Sequence, residues 1–350
     1  MKITKPLAVR PYLTVALVVS SFQFNSQLYA ASPNVNQVSH DPDELNNPEL
    51  SLQNEKVADK VLAVILSHSL TRDIDAESVN ELQSSESLQG CSELRQKLLQ
   101  IIQKSQPLTF TLVGFPFKSG NKETKVIGDL PDLAERLALE KLHKFMEEIG
   151  QVYAYGAKII IYTDGLAFFD QLDVPLEKVT GYETALKQLA ADLPLISIMT
   201  CQDLFPDLSP EVIHANIKSH PMSFKELSSE AKDVLSKRLL MEFDFPKGRV
   251  FLKERSFDQI TTELDRRSQQ INQIYKSKFP SAIPLSVHYK KDIGEKVGIS
   301  LSEGHVTPWH GVAVLKKGGS FIIIPKKDVP TSAQISSKRI NGINCYYYIY

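Results

Sequence analysis

The stretch from Leu108 to Thr163 constrains the fold more than any other part of the chain. Leu108-Thr-Phe-Thr-Leu-Val-Gly114 alternates and is rich in β-formers, which predicts a strand. Leu133, Leu137, Ala138, Leu142, Phe145, Met146 and Ile149 then recur at helical spacing and predict a helix ending near Gly150. Pro131 is tolerated in its first turn, whose N–H groups lack intrahelical partners, and Asp132 and Glu135 suit the positive end of its dipole. Ala157-Lys-Ile-Ile-Ile-Tyr-Thr163 reads as a second, buried strand running into Asp164-Gly165. Strand, helix and strand joined by a crossover of this length predict a parallel pair.

The rest of the sequence extends that unit. A helix over 176–191 leads to a third parallel strand, Leu195-Ile-Ser-Ile-Met-Thr200, ending in Cys201-Gln202-Asp203. Helical spacing also marks 57–67, 91–103 and 223–275, the last interrupted around Pro246-Lys-Gly248. Toward the C-terminus, 284–288 with 297–301 and 311–315 with 320–324 read as two antiparallel hairpins. The expected class is therefore α/β, a parallel sheet with helices on both faces plus C-terminal antiparallel hairpins. Residues 56–335 form the expected α/β domain and 336–350 a tail.

Composition narrows the function classes. With 42% hydrophobic residues in 350, the chain has material for a packed core, and a net charge of −1 argues against the broad cationic field of a nucleic-acid binder. Any anion site is local. Cys91, Cys201 and Cys345 lie far apart with no Cys-x-x-Cys spacing, so neither a zinc knuckle nor a disulfide scaffold is supported. Cys201 reads as packing at a strand end. Residues 1–30 hold Lys2, Lys5 and Arg10, no acid, and the apolar run Tyr12–Phe22 before Ala30-Ala31, the pattern of a secretory signal. That run is too short for a bilayer span, and 31–55 reads as a polar linker, so export and a cytoplasmic location both stand as expectations without stable membrane insertion.

In a parallel sheet, the loop after the first strand and the Asp-Gly after the second emerge at the carboxyl edge, where open α/β sheets bind ligands. That loop, Phe115 to Asp129, is far longer than the usual βα connection of about 2–6 residues. Lys118, Ser119, Asn121 and Lys125, with N–H groups near Gly120, could converge there on a phosphate or carboxylate, although a solvated lysine loop fits the same composition. Phe117 and Leu112 stand where a P-loop needs glycines, and no Gly-x-Gly-x-x-Gly follows a strand. Asp164 reads either as a turn aspartate or as a carboxylate that orients or deprotonates an ammonium or hydroxyl. His310, beside the single tryptophan, and His288 each read as a packed histidine or a catalyst. The pairs Lys290-Lys291, Lys316-Lys317 and Lys326-Lys327 read as edge-protecting charges.

Phe115-Pro-Phe-Lys-Ser-Gly-Asn121, Lys125-Val-Ile-Gly-Asp-Leu-Pro-Asp-Leu-Ala-Glu135, Thr163-Asp-Gly165 with Phe169-Asp170, Leu285-Ser-Val-His288 and Pro308-Trp-His310 occur in this order. Together they resemble the pyoverdine/dityrosine biosynthesis family, the isonitrile (isocyanide) synthases, over roughly 91–329. The resemblance implies a Rossmann-like fold and a reaction needing neither metal nor nucleotide cofactor. In it, the α-amino group of Tyr or Trp takes a carbon from ribulose 5-phosphate, so the implied partners are an aromatic amino acid and a phosphosugar. It also implies that turnover depends on Lys118, Asp164 and His310, with Ser119, Asn121, Lys125 and His288 binding substrate. The chain departs from the family pattern at Gly120, where proline is usual, at Pro284, where arginine is usual, and at Pro325-Lys326, in place of His-Arg. A non-catalytic, exported ligand-binding protein of the same fold is the alternative expectation.

Overall fold

Leu108, Phe110 and Leu112 are fully buried, as a central strand requires. In the computed structural model of the chain, which describes residues 48–70, 85–219, 229, 257–288, 290, 293–303 and 306–350, these residues lie in β1 (Leu108–Val113). On one side β1 pairs in parallel with β2 (Ala157–Thr163), and β2 with β3 (Ile196–Thr200). On the other side it pairs in parallel with β4 (Ile283–Ser286), which carries the two-residue β5 (Val297–Gly298). The order β3-β2-β1-β4-β5 reverses direction between β1 and β4, the doubly wound arrangement of a Rossmann-like sheet.

The helices are α1 (Pro48–Ser67), α2 (Ser85–Gln103), α3 (Leu133–Val152), α4 (Gly165–Phe168), α5 (Leu176–Leu189), α6 (Cys201–Leu204), α7 (Pro210–Ser219) and α8 (Phe257–Lys278). Successive strand residues point to opposite faces, so neighbours on β2 reach different layers. Thr163 Oγ1 donates to Glu183 of α5 at 2.6 Å, whereas Tyr162 stacks on Tyr275 of α8 with ring centroids 3.7 Å apart. Phe110 meets Phe145 of α3 on the Thr163 side. At the β5 edge, Leu70 N–H donates to the Gly298 carbonyl and Lys97 of α2 to the Ala282 carbonyl.

The start of α3 is set by a capping box. Asp132 accepts from Ala134 N–H at 2.8 Å, and Glu135 accepts from Asp132 N–H at 2.8 Å. Such a cap stabilises a helix by about 1 kcal/mol. Pro131 therefore precedes the cap instead of occupying the first turn.

A second sheet follows, with β6 (Val312–Leu315), β7 (Phe321–Ile324), β8 (Gln334–Ile340) and β9 (Ile343–Ile349) in the order β7-β6-β9-β8. Ala313, Ile323 and Cys345 face the main core, while Val312, Val314 and Tyr348 pack together on the opposite face.

Three expectations change. The 284–288 and 297–301 segments are not a hairpin, because β4 pairs in parallel with both β1 and β5; they extend the main sheet. Residues 336–350 are not a tail, because they complete the β8–β9 hairpin, whose β9 inserts beside β6. Helix α1 begins at Pro48, inside the expected linker. The hairpin of β6 and β7 forms as expected. The expected leader, residues 31–47 of the linker and 223–256 apart from 229 lie outside the described residues. No described helix is long and apolar enough to cross a membrane.

Candidate active site

The loop after β1 folds back over the carboxyl edge and meets the turn Pro308–His310. Ser119 N–H donates to the Trp309 carbonyl at 2.9 Å, and the Trp309 indole lies over Gly114, where an added Cβ would stand 3.1 Å from the ring. The indole thus occupies the β1/β4 crevice where the strand order reverses, and Phe115 packs on it at 5.0 Å between centroids. Two of the sequence motifs are in contact there.

Lys118 does not present its ammonium to a ligand. Its side chain is fully enclosed, with Nζ 2.8 and 2.6 Å from the two Glu135 oxygens, 3.1 Å from Asp132 Oδ2 and 3.3 Å from the Pro308 carbonyl. Burial opposes its charge, but the two carboxylates outweigh that and hold its pKa above the ordinary value. Burial likewise drives the Glu135 carboxyl upward. Yet Glu135 accepts from Lys118 at both oxygens, from Asp132 N–H and, at 3.2 Å, from the Tyr182 hydroxyl. Three donors making four hydrogen bonds suit an ionised carboxylate, so the pair is read as charged. The acids expected to favour the helix start thus also neutralise the lysine expected to bind anions.

Ser119 and Asn121 are buried and shape the loop: Ser119 Oγ accepts from Asn121 N–H, and Asn121 Oδ1 from Thr124 N–H at 3.0 Å. Lys125 sits farther out, its carbonyl receiving Lys326 N–H, while Lys327 N–H donates to the Thr124 carbonyl. The Lys326-Lys327 pair, read as edge protection, is therefore docked on this loop, with Lys326 Nζ 2.7 Å from the Lys122 carbonyl. Lys316-Lys317 follows β6, at the β6–β7 connection. His310 is half-buried, its Nδ1 within 2.8 Å of Thr307 Oγ1, a contact that orients the ring. His288 is exposed beyond the end of β4.

Asp164 differs from all of these. It lies at the end of β2 and caps α4 without a side-chain capping bond, and its Oδ1 is sealed from solvent with no hydrogen-bond partner. Burial pushes its pKa up to about 7, opposed only by its own backbone N–H. Glu183 is likewise pushed up to about 7 by burial, against the Thr163 hydroxyl bond. The next residue, Gly165, is wedged against the loop: a Cβ there would fall 2.2 Å from the Pro116 carbonyl oxygen and 2.7 Å from Val179. Asp164 is thereby tied to the same edge as Lys118 and His310. Cys201 is buried with its thiol pushed up to about 12, as inert packing requires.

Sequence reading missed the charge network behind α4, in which Arg267 is fully buried. Its guanidinium forks onto Asp170 at 2.6 and 3.2 Å and its Nε donates to Glu263. The Glu263 and Arg267 spacing on a helical pattern was a signal, but only of a solvated pair. Among the described residues, no group of three or more His, Cys, Asp or Glu is arranged to hold a metal ion. The edge therefore sets Asp164, with one unpartnered carboxyl oxygen, beside an ion cluster in which Lys118 is held by Glu135 and Asp132.

The pyoverdine/dityrosine biosynthesis protein family matches residues 98–253 and 251–336. The L-tryptophan isonitrile synthase AmbI1 of Fischerella ambigua is 28% identical over 250 residues, covering 67% of this chain and 78% of the relative. The L-tyrosine isonitrile synthase of Xenorhabdus nematophila is 28% identical over 271 residues, covering 71% and 79%. The crystal structure of the PvcA protein from Pseudomonas aeruginosa superimposes with a TM-score of 0.69 at 22% identity, covering 84% of this chain and 99% of that one, and so shares its fold.

Proposed function

Because the chain belongs to the pyoverdine/dityrosine biosynthesis family, we propose that it is an isonitrile synthase that converts the α-amino group of an aromatic amino acid, Tyr or Trp, using ribulose 5-phosphate as carbon donor. The observation that carries this reading is the sealed, unpartnered Asp164 Oδ1 on the edge where the family's motifs meet. Joining an amine to a ketose and cleaving carbon–carbon bonds requires protons to be removed and returned near neutral pH. A carboxyl pushed up to about 7 suits that duty. We assign Asp164 the proton transfers and His310 a supporting acid–base role. Lys118 is reassigned from anion binding to holding the loop. The phosphate falls to the outer lysines of that loop, Lys125 among them. The reaction so written calls for no metal or nucleotide and belongs to secondary-metabolite biosynthesis.

The test is direct. Purified protein incubated with Tyr or Trp and ribulose 5-phosphate should yield the corresponding isonitrile by mass spectrometry. Thermal stabilisation by these compounds without conversion would instead assign a non-catalytic binding protein.

A further inference from the structure

Helix α4 is a single turn, too short to be stable by itself, and Asp164 is the residue from which it starts. Its carbonyls near the C-terminal end need partners from elsewhere. His214 of α7 donates from Nδ1 to the Leu166 carbonyl at 2.8 Å, since a carbonyl only accepts. Arg267 of α8 donates from Nη1 to the Ala167 carbonyl at 2.7 Å. The same guanidinium forks onto Asp170, two residues beyond α4, and its Nε is held by Glu263 at 2.6 Å. His214 Nε2 and Lys218 Nζ also face Asp170, at 3.4 and 3.9 Å. On the other flank, the Pro116 carbonyl and Val179 press against Gly165. The turn carrying Asp164 is thus gripped between the loop after β1 and one buried arginine.

We propose that Arg267 is a positioning residue: by capping the Ala167 carbonyl and forking onto Asp170 at once, it fixes the α4 turn and with it the place and protonation of the Asp164 carboxyl. This rests on the reading of Asp164 as the proton-transfer group. The planar fork is essential, since it serves a carbonyl and both oxygens of a carboxylate together. A lysine keeps the charge but offers one point contact. Among the described residues, the charged or titratable groups around Asp164 itself are Glu183 of α5, Cys201 of α6 and Tyr275 of α8, none of which Arg267 bonds.

The experiment compares wild type with Arg267→Lys and Asp170→Asn, with Arg267→Met as the charge-free variant. Rates are corrected for the folded fraction. Displacing Asp164 should lower kcat about 10–100-fold with little change in KM for the amino acid, and should move the limb of the pH profile near neutrality. Arg267→Lys should restore stability relative to Arg267→Met without restoring kcat. Two readouts need no turnover: hydrogen exchange at the 165–169 amides, expected to quicken in Arg267→Lys, and infrared titration of the Asp164 carboxyl, assigned by subtraction of Asp164→Asn, expected to shift. If wild type makes no isonitrile, these two decide the positioning claim alone. Unchanged kcat per folded molecule, or unchanged exchange and Asp164 titration, would overturn it. Should Arg267→Met not fold, Asp170→Asn carries the same comparison.

Discussion

Glu135 and Asp164 are carboxyl groups at the same edge of the same sheet, the first fully buried and the second half-buried with one sealed oxygen, both raised by desolvation and met by opposite surroundings. Glu135 is approached by an ammonium, a backbone N–H and a phenol, and is spent on structure. Asp164 keeps an oxygen that no donor meets. Burial alone therefore does not mark a reactive group. What separates the two is whether the fold has already supplied the donors that a substrate would otherwise bring.

The comparison can be broken most decisively at Asp164. Replacing it with asparagine keeps the shape but removes the proton acceptor, and should lower isonitrile formation about 10²–10⁴-fold. Mass-spectrometric rates on folded protein provide the check, and a rate within a few-fold of wild type would move the chemistry elsewhere. At Lys118 the expected effect is on folding. Lys118→Met strands Glu135 and Asp132 without their cation and should cost about 3–5 kcal/mol in urea unfolding. A loss of turnover with full stability would return Lys118 to the chemistry.

A third comparison uses pH. The folded pKa of Asp164 is raised, so its contribution to stability is fully present below the unfolded value of about 3.9 and is lost as pH rises to about 7. Asp164→Asn escapes that loss and should be more stable than wild type at pH 8, by at most about 4 kcal/mol, with no such gain at pH 4. Asp170 has the opposite sign. Despite burial, His214 and Arg267 hold it well below the usual carboxylate range, so its contribution is present above about 3.9 and disappears as pH falls through its folded value. Asp170→Asn should therefore be the less stable variant at pH 7, and the difference should shrink in acid. The smallest effect belongs to Asn121→Ala, which removes the acceptor for Thr124 N–H and should cost about 1 kcal/mol by thermal unfolding.

The sequence made the elements around the site legible and left their partners hidden. Periodicity located β1, α3 and β2, because alternate burial in a strand and an apolar stripe on a helix leave direct traces. It also marked 284–288 and 297–301 as extended, but periodicity carries no record of which strand lies alongside, so a parallel pair passed for a hairpin. The final strand was missed although Cys345-Tyr-Tyr-Tyr-Ile-Tyr350 is rich in β-formers, because polar β8 before it reads as a tail. At the site, Lys118 and Asp164 stood out by type and place. That Lys118 ends against Glu135 and the Pro308 carbonyl depends on a loop path and on a turn 190 residues away. The Arg267 grip was invisible for the same reason, joining α8 to α4 across a hundred residues.

Trp309 has a practical consequence of its own. It is the chain's single tryptophan, 6% exposed, with its carbonyl tied to the loop after β1 and its ring against Phe115 and His310. Excitation at the red edge of indole absorption therefore lights one spot at the mouth of the sheet and nothing else. Shifts in that emission read out occupancy and local opening without any label, and stopped-flow recording follows each in time.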